Sequence, residues 1–491
     1  MIRGNLGILG DNDSAGNDIT VTETAPGAFT VTGNNGTTIN GKTDVYNSSD
    51  DGLVGGSTGG RVLIGLGTGP DKLTYNGTGV TSLKALYVTS GAGSDTVNLT
   101  NVRAHEVAVG QATVTLPAIL NLSPAIFKAA APADLGNDNV IVSAHPSGSG
   151  NVSINLGTGA DGAGVSGKFW GDVSVKGYGG GDTVLVHAAQ IGQGLAVSNT
   201  AGAAGNTVTL NNNFIGRGAS VFNAGSGGST VTVSNTLVGK TLIVTNASTA
   251  SLTPQFSEIS AVGVTAAGGI TFIGGAGPDI FSILASNTGP VRINSANGNT
   301  SATLTSVNAT SVQYNGGSGI DLLEFEGLKV AGDVNAQLGL GGSDIKVRGS
   351  RVGGDLSVFA AAGLALDTVA IETSEVFGDT FISLGAGNDT VTANSVQFYG
   401  NTTALLGAGD DKFSLLNTLN TSAPTSLYGN LKVITGAGSD KVFAANDAEV
   451  GTANERVELF GSISGDFFAG TDVAFAGVNA FQIGADNFFD H

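Results

Sequence analysis

The sequence predicts an all-β fold: a parallel β-helix, or β-solenoid, with about 22 residues per coil, drawn out as a single elongated rod. Three observations predict it. A glycine-aspartate turn returns at a near-constant interval along almost the whole chain. Apolar residues alternate with polar ones after each turn. A second glycine, followed by Asp or Asn, opens another alternating stretch about ten residues further on.

The turns come first. They read GTGPD ending at Asp71, GAGSD at Asp95, LGND at Asp138, GTGAD at Asp161 and GGGD at Asp182. Degenerate copies follow at Asn206 and Ser229. GAGPD ends at Asp279, ANGNT at Thr300, GSGID at Asp321, GGSD at Asp344 and LALD at Asp367. GAGND, GAGDD and GAGSD then end at Asp389, Asp411 and Asp440. The wide intervals, from 95 to 138 and from 229 to 279, are expected to hold two coils each.

The strands come next. The second residue after the turn is apolar at Leu73, Val97, Val184, Phe281, Leu323, Val391, Phe413 and Val442, and often the fourth is too, as at Leu99, Val186, Ile283, Phe325 and Leu415. The second marker appears as GDVSVKG (171–177), GDVNAQLG (332–339), GDLSVF (354–359), GDTFISLG (378–385), GNTTALLG (400–407) and GNLKVITG (429–436). Two strands per coil, with no helical period between them, predict coils stacked through main-chain hydrogen bonds about 4.8 Å apart. One coil has nothing to bury its apolar face against, so the array has to be long. A sandwich of hairpins would not need one fixed period.

The array is expected over 1–459. An irregular insertion is expected near 117–136, where three prolines and an Ala run interrupt the rhythm and rule against a long helix. Seven of the 22 Phe fall in 460–491, which reads as an apolar cap or an assembly segment covering an open strand edge. Unlike ends meeting head to tail would give an open filament, so self-association is expected.

Composition narrows the function classes. Of 491 residues, 79 are Gly, none is Cys, 41% are apolar and only 12% are charged. The apolar share is enough for a core. Twenty Lys and Arg stand against 39 Asp and Glu, a net charge of −19, which argues against nucleic acid as a partner. The acids are mostly Asp, 29 against 10 Glu, as turns and oxygen-ligand sites favour. Lack of Cys excludes disulfides and thiolate metal sites and fits a secreted protein. No apolar run is long enough for a membrane helix. The start, MIRGNLGILGDND, shows no signal-peptide h-region, so either a leader has been removed or export uses another route.

A solenoid would bring the turn aspartates into line along one edge, where stacked carboxylates repel. A cation bridging coils, held by Asp oxygens and turn carbonyls, would relieve that, and oxygen ligation suits Ca²⁺. The expected metal ligands are Asp71, Asp95, Asp161, Asp182, Asp279, Asp321, Asp344, Asp389, Asp411 and Asp440. The best neighbouring pairs are Asp71/Asp95, Asp161/Asp182, Asp321/Asp344, Asp389/Asp411 and Asp411/Asp440. The competing reading is that each Asp closes its own turn by bonding backbone N–H groups. It must hold where the charge is gone, at Asn206, Ser229 and Thr300.

GGAGPDIFSI (274–283) and GGSGIDLLEF (316–325) resemble the GGxGxDxUx motif of the RTX calcium-binding β-roll. The resemblance implies Asp279 and Asp321 as metal ligands and Gly274, Gly275, Gly277, Gly316, Gly317 and Gly319 as turn glycines. It covers the turn and not the coil, because RTX repeats are tandem nine-residue units. The whole chain is more similar to bacterial extracellular parallel β-helix surface proteins with RTX-like corners.

Other signals are weaker. The glycine loops lead into strands, so they are not dinucleotide loops. His105, His145, His187 and His491 have no zinc spacing. Thr rows such as TVTL (207–210) and TVTV (230–233) are broken by DKFS and DIFS, against an ice-binding face. Sequons such as those at Asn76 and Asn401 are expected by chance. Polysaccharide-active β-helices carry a groove of acids, bases and aromatics. Here there is one Trp, Trp170, and the tightest basic pair is in RGSR (348–351), while Glu324 and Glu326 flank Phe325 on an outward face. No catalytic residue is therefore assigned. The sequence reads as an extracellular structural or adhesive solenoid, a cell-surface rod, fibre or matrix component braced by calcium and self-associating. Surface polysaccharide or other matrix proteins are its candidate partners. The alternative is a carbohydrate-active β-helix enzyme, a lyase or hydrolase.

Overall fold

The computed structural model is all-β, a parallel β-solenoid with no helix among the described residues. The described residues run from 6 to 482, leaving out 11–13, 26, 40, 44, 48–59, 80–81, 111–135, 201–203, 249–255, 361–362, 418–423, 445–456, 468–472 and 477–479. The chain forms two compact units, Met1–Ser251 and Leu252–His491. The insertion expected near 117–136 lies outside the described residues apart from Gly136. Of the segment 460–491, the described parts include strands Val473–Ala476 and Ala480–Gln482, paired in parallel with the preceding coil.

In the second unit one coil reads as follows. Asp279–Leu284 opens it, Asn287–Thr288 makes a two-residue strand, and Val291–Asn294 completes it. Each pairs in parallel with its counterpart one coil on, at Thr300–Thr305, Asn308–Ala309 and Val312–Asn315. The expectation of two strands per coil thus becomes three here. The short strand is too brief to show alternation, which hid it in the sequence. A corner before it turns through one residue in the left-handed region, occupied by Ala285, Ser306, Gly327, Gly349, Thr373 and Ser395 in successive coils.

The first unit follows the same plan. Its wide interval from 95 to 138 is not two coils. Thr96 pairs directly with Asn139, so a single coil carries the extra length as an insertion. The unit also departs from the solenoid near its start, where Ala28–Asn34 pairs antiparallel with both Asp18–Ala25 and Tyr46–Asn47, while Asp18–Ala25 also pairs in parallel with Lys72–Asn76.

Alternation becomes columns. In the first unit Val97, Val140, Ala163, Val184, Val208 and Val231 stack in register and are all buried. In the second, Ile259, Phe281, Ala302, Leu323, Ile345, Val369, Val391 and Phe413 do the same. Large and small side chains share that column: Phe281 sits over Ala302, and its ring packs on Phe272 at 6.1 Å. Each buried aliphatic or Phe side chain contributes about 1.5–3 kcal/mol.

The glycines form columns too, because stacked turns leave no room for a Cβ. At Gly319 and Gly341 a Cβ would lie 2.5 Å from the carbonyl oxygen of the matching glycine one coil back, Gly298 and Gly319 respectively. Gly93 on Gly69, Gly409 on Gly387 and Gly438 on Gly409 clash still harder. A second column, Gly400, Gly429 and Gly461, stands at the other marker, each against the carbonyl of the glycine before it.

Candidate functional site

The feature that recurs most is the turn aspartate, and the structure turns it inward. Asp71, Asp95, Asp138, Asp161 and Asp182 in the first unit are each at most 4% exposed, as are Asp279, Asp321, Asp367, Asp389, Asp411 and Asp440 in the second. Apart from Asp279 and Asp321, they form a spine with one hydrogen-bonding rule. The backbone N–H of one spine residue donates to the side-chain oxygen of the next coil's spine residue. Asp71 N donates to Asp95 Oδ1 at 2.8 Å, Asp95 N to Asp138 Oδ1 at 2.9 Å and Asp138 N to Asp161 Oδ1 at 2.8 Å. In the second unit Ser343 N donates to Asp367 Oδ1 at 2.9 Å, Asp367 N to Asp389 Oδ1 at 2.8 Å, Asp389 N to Asp411 Oδ1 at 2.8 Å and Asp411 N to Asp440 Oδ1 at 2.9 Å. Uncharged members obey the same rule: Asp182 N donates to Asn206 Oδ1 at 3.0 Å, and Asn206 N to Ser229 Oγ at 3.3 Å.

The spine corrects one residue choice. Asp344 is not in it. Leu322 pairs with Asp344, so the residue in register with Asp321 is Ser343, and Ser343 donates to Asp367. Asp344 lies one position on and pairs with Lys346 Nζ at 3.0 Å. The glycine spacing was loose enough there to allow either residue, and pairing register decided between them. The other expected neighbours, Asp71/Asp95, Asp161/Asp182, Asp389/Asp411 and Asp411/Asp440, are adjacent in the spine.

The two fullest GGxGxD copies behave differently. Asp279 Oδ1 accepts from Gly275 N at 3.4 Å, inside its own turn. Asp321 Oδ1 accepts from Tyr314 Oη at 2.8 Å, and its Oδ2 from Gly339 N at 2.9 Å. In both, Oδ2 occupies the place where a Cβ on the first motif glycine, Gly274 or Gly316, would stand. Gly177 and Asp182 repeat that arrangement. The first glycine of the motif is therefore required by the inward carboxyl itself.

Calcium needs six to eight oxygens that are free to turn toward it. Here Oδ1 of Asp389 and Asp411 already accepts an N–H, which leaves one buried oxygen, Oδ2, on each carboxyl. The turn carbonyls are also engaged: Gly385 and Gly407 accept from Ala408 N and Ala437 N at 3.3 and 3.2 Å. Among the described residues, no group of three or more His, Cys, Asp or Glu stands together as a metal site. This donor set does not fit a calcium corner.

Burial raises the carboxyls. It pushes Asp182 and Asp279 up to about 7, and Asp389 and Asp411 up to about 6, each against the lowering effect of the N–H it accepts. Asp321 and Asp367 move up for the same reason.

Sequence reading missed three further ladders. Buried Asn199, Asn223 and Asn246 pass side-chain hydrogen bonds along the first unit, Nδ2 to Oδ1 at 3.0 Å each, ending on the Ser229 carbonyl at 3.2 Å. The Asp or Asn of the second marker forms an exposed ladder of opposite sense. Asp355 N donates to Asp333 Oδ1, Asp379 N to Asp355 Oδ1, Asn401 N to Asp379 Oδ1 and Asn430 N to Asn401 Oδ1, over 2.8–3.1 Å. Just before that marker, Phe377, Tyr399, Tyr428 and Phe460 stack face to face at 4.6, 4.9 and 4.9 Å, with Arg351 4.5 Å from the first ring. The signal was present as FGD, YGN, YGN and FGS, one per coil. No protein-family model, no curated protein and no solved structure matches this chain.

Proposed function

We propose that the protein is a structural or adhesive β-solenoid outside the cell, a component of a surface layer or matrix that works through repetition and cohesion and not through turnover. One observation carries this reading. The acid that recurs at nearly every turn is spent, at every buried turn aspartate but Asp279, on coil-to-coil hydrogen bonds, and so builds the stack. The polar rows on the outer face are likewise ladders, with bonds running between equivalent positions. Isolated strand pairs such as Glu324 with Arg348 and Arg348 with Glu372, at 3.9 and 2.9 Å, tie neighbouring coils in the same way. Self-association belongs to this reading, because the last coil of any open array offers unpaired N–H and C=O groups. Surface polysaccharide or other matrix proteins are the partners it implies.

The test pairs a polysaccharide turnover panel with electron microscopy over a concentration series. Ordered assemblies that lengthen with concentration, with no turnover on any polysaccharide, fit the proposal. Turnover that a single acidic substitution abolishes would replace it with the carbohydrate-active enzyme.

A further inference from the structure

Asp389 and Asp411 are 0% and 1% exposed, and each has an Oδ2 that is buried without a hydrogen-bond partner. A single N–H on Oδ1 is poor solvation for a full negative charge away from water. The charged groups acting on them are other carboxylates: Asp367 on Asp389, and Asp389, Asp440 and Asp410 on Asp411. Lys412 follows Asp411 in the chain but lies on the outward side of its strand, with Nζ 5.4 Å from the Phe443 ring. Lys441, after Asp440, is exposed.

The spine also contains its own uncharged controls. Asn206 accepts the Asp182 N–H just as an aspartate would. Asn17, in register ahead of Asp71, shows what a donor does at the second atom: its Nδ2 reaches the Leu66 carbonyl at 2.8 Å. A neutral carboxylic acid has that same pattern, an acceptor at Oδ1 and a donor at Oδ2.

We propose that the ligand of the buried aspartate spine is the proton: Asp389 and Asp411, and with them Asp279, whose Oδ2 is likewise buried without a hydrogen-bond partner, are carried as neutral acids in the folded stack, so that its cohesion is favoured by mild acid and indifferent to calcium. Folding takes up a proton from solvent at each such carboxyl, forming an O–H bond on the carboxyl oxygen. This concerns the stack itself and stands apart from the role proposed above. The upward displacement of these groups by burial, to about 6 for Asp389 and Asp411 and about 7 for Asp279, agrees with it. An unfolded Asp titrates near about 3.9. A folded value above that makes the contribution complete below the unfolded value and lost as pH rises through the folded one. The window is therefore from about pH 4 to just above about pH 7.

The experiment is thermal unfolding of the full chain between about pH 5 and about pH 8, in millimolar calcium and again in excess EGTA. The wild type is expected to lose several degrees of melting temperature across that interval, equally in both solutions. The double variant Asp389→Asn/Asp411→Asn is expected to show a shallower slope and to melt at or above the wild type at the alkaline end. A wild-type melting temperature that stays level or climbs toward the alkaline end overturns the proposal. So does a calcium-dependent rise that the double variant abolishes. Should the double variant not fold, infrared spectra of wild type with isotope-labelled Asp decide. A protonated-carboxyl band persisting at about pH 6 and fading toward about pH 8 supports the proposal, and carboxylate bands alone at about pH 6 overturn it.

Discussion

Gly409 has a φ of 145°, and a Cβ added there would lie 1.8 Å from the Gly387 carbonyl oxygen, so a methyl group meets fixed backbone. Gly409→Ala is expected to cost about 3 kcal/mol, because neither chain moves without breaking the ladder above and below it. Gly349 makes the contrast. Its φ is 54°, nothing lies within 4 Å of the Cβ it lacks, and Asn101, Asn212 and Asn235 occupy the equivalent corner in other coils. Gly349→Asn should shift stability by no more than about 0.5 kcal/mol. Denaturant unfolding of the two variants side by side measures both. The aspartates belong to this scale as well. Their side chains are set by which N–H each one meets, and a neighbour such as Asn206 meets the same one without charge.

Each coil face is an element whose stability comes from repetition. Phe413 fills the inward column between Val391 and Val442 and is 2% exposed. Truncation to Ala removes most of a buried ring, and Phe413→Ala should cost about 3–5 kcal/mol. Tyr399 stacks on Phe377 and Tyr428 but is 40% exposed. Tyr399→Ser should therefore cost less, about 1 kcal/mol, the scale of an aromatic pair. Melting curves of the two variants, compared with wild type, test that order. A Tyr399 loss as large as that of Phe413 would mean that the outer stack, and not the inner column, holds this part of the second unit.

For the whole molecule, the repeat makes a prediction that no compact globular core would. Residues 390–411 are one complete coil, and removing them joins Asp389 to Lys412, so every column and ladder closes up in register. That deletion should keep the β-sheet circular dichroism spectrum and a cooperative melt, since each coil contacts mainly its neighbours. Removing only 390–400 shifts the following strands out of register and should abolish the cooperative transition. Equal behaviour of the two deletions would contradict a stack in which register is set coil by coil.

Period, strand direction and inward face were legible in the residues. A Gly-Asp turn at steps of 21 to 24, with Val, Leu, Ile or Phe two and four places later, has few solutions other than stacked parallel coils. The core followed from that alternation, because a strand buries every second side chain whatever its partners are. Tertiary structure alone decided what the aspartates touch. Whether the spine residue is Ser343 or Asp344, whether 95 to 138 spans one coil or two, and whether a carboxyl points to water or to the preceding coil's backbone all depend on pairing register. Register is a relation between residues far apart in the chain, so local spacing constrains it only loosely. Burial then sets the surroundings of the acid: a carboxyl that the sequence places at an edge is, once packed against the preceding coil, an acceptor of that coil's N–H with water excluded.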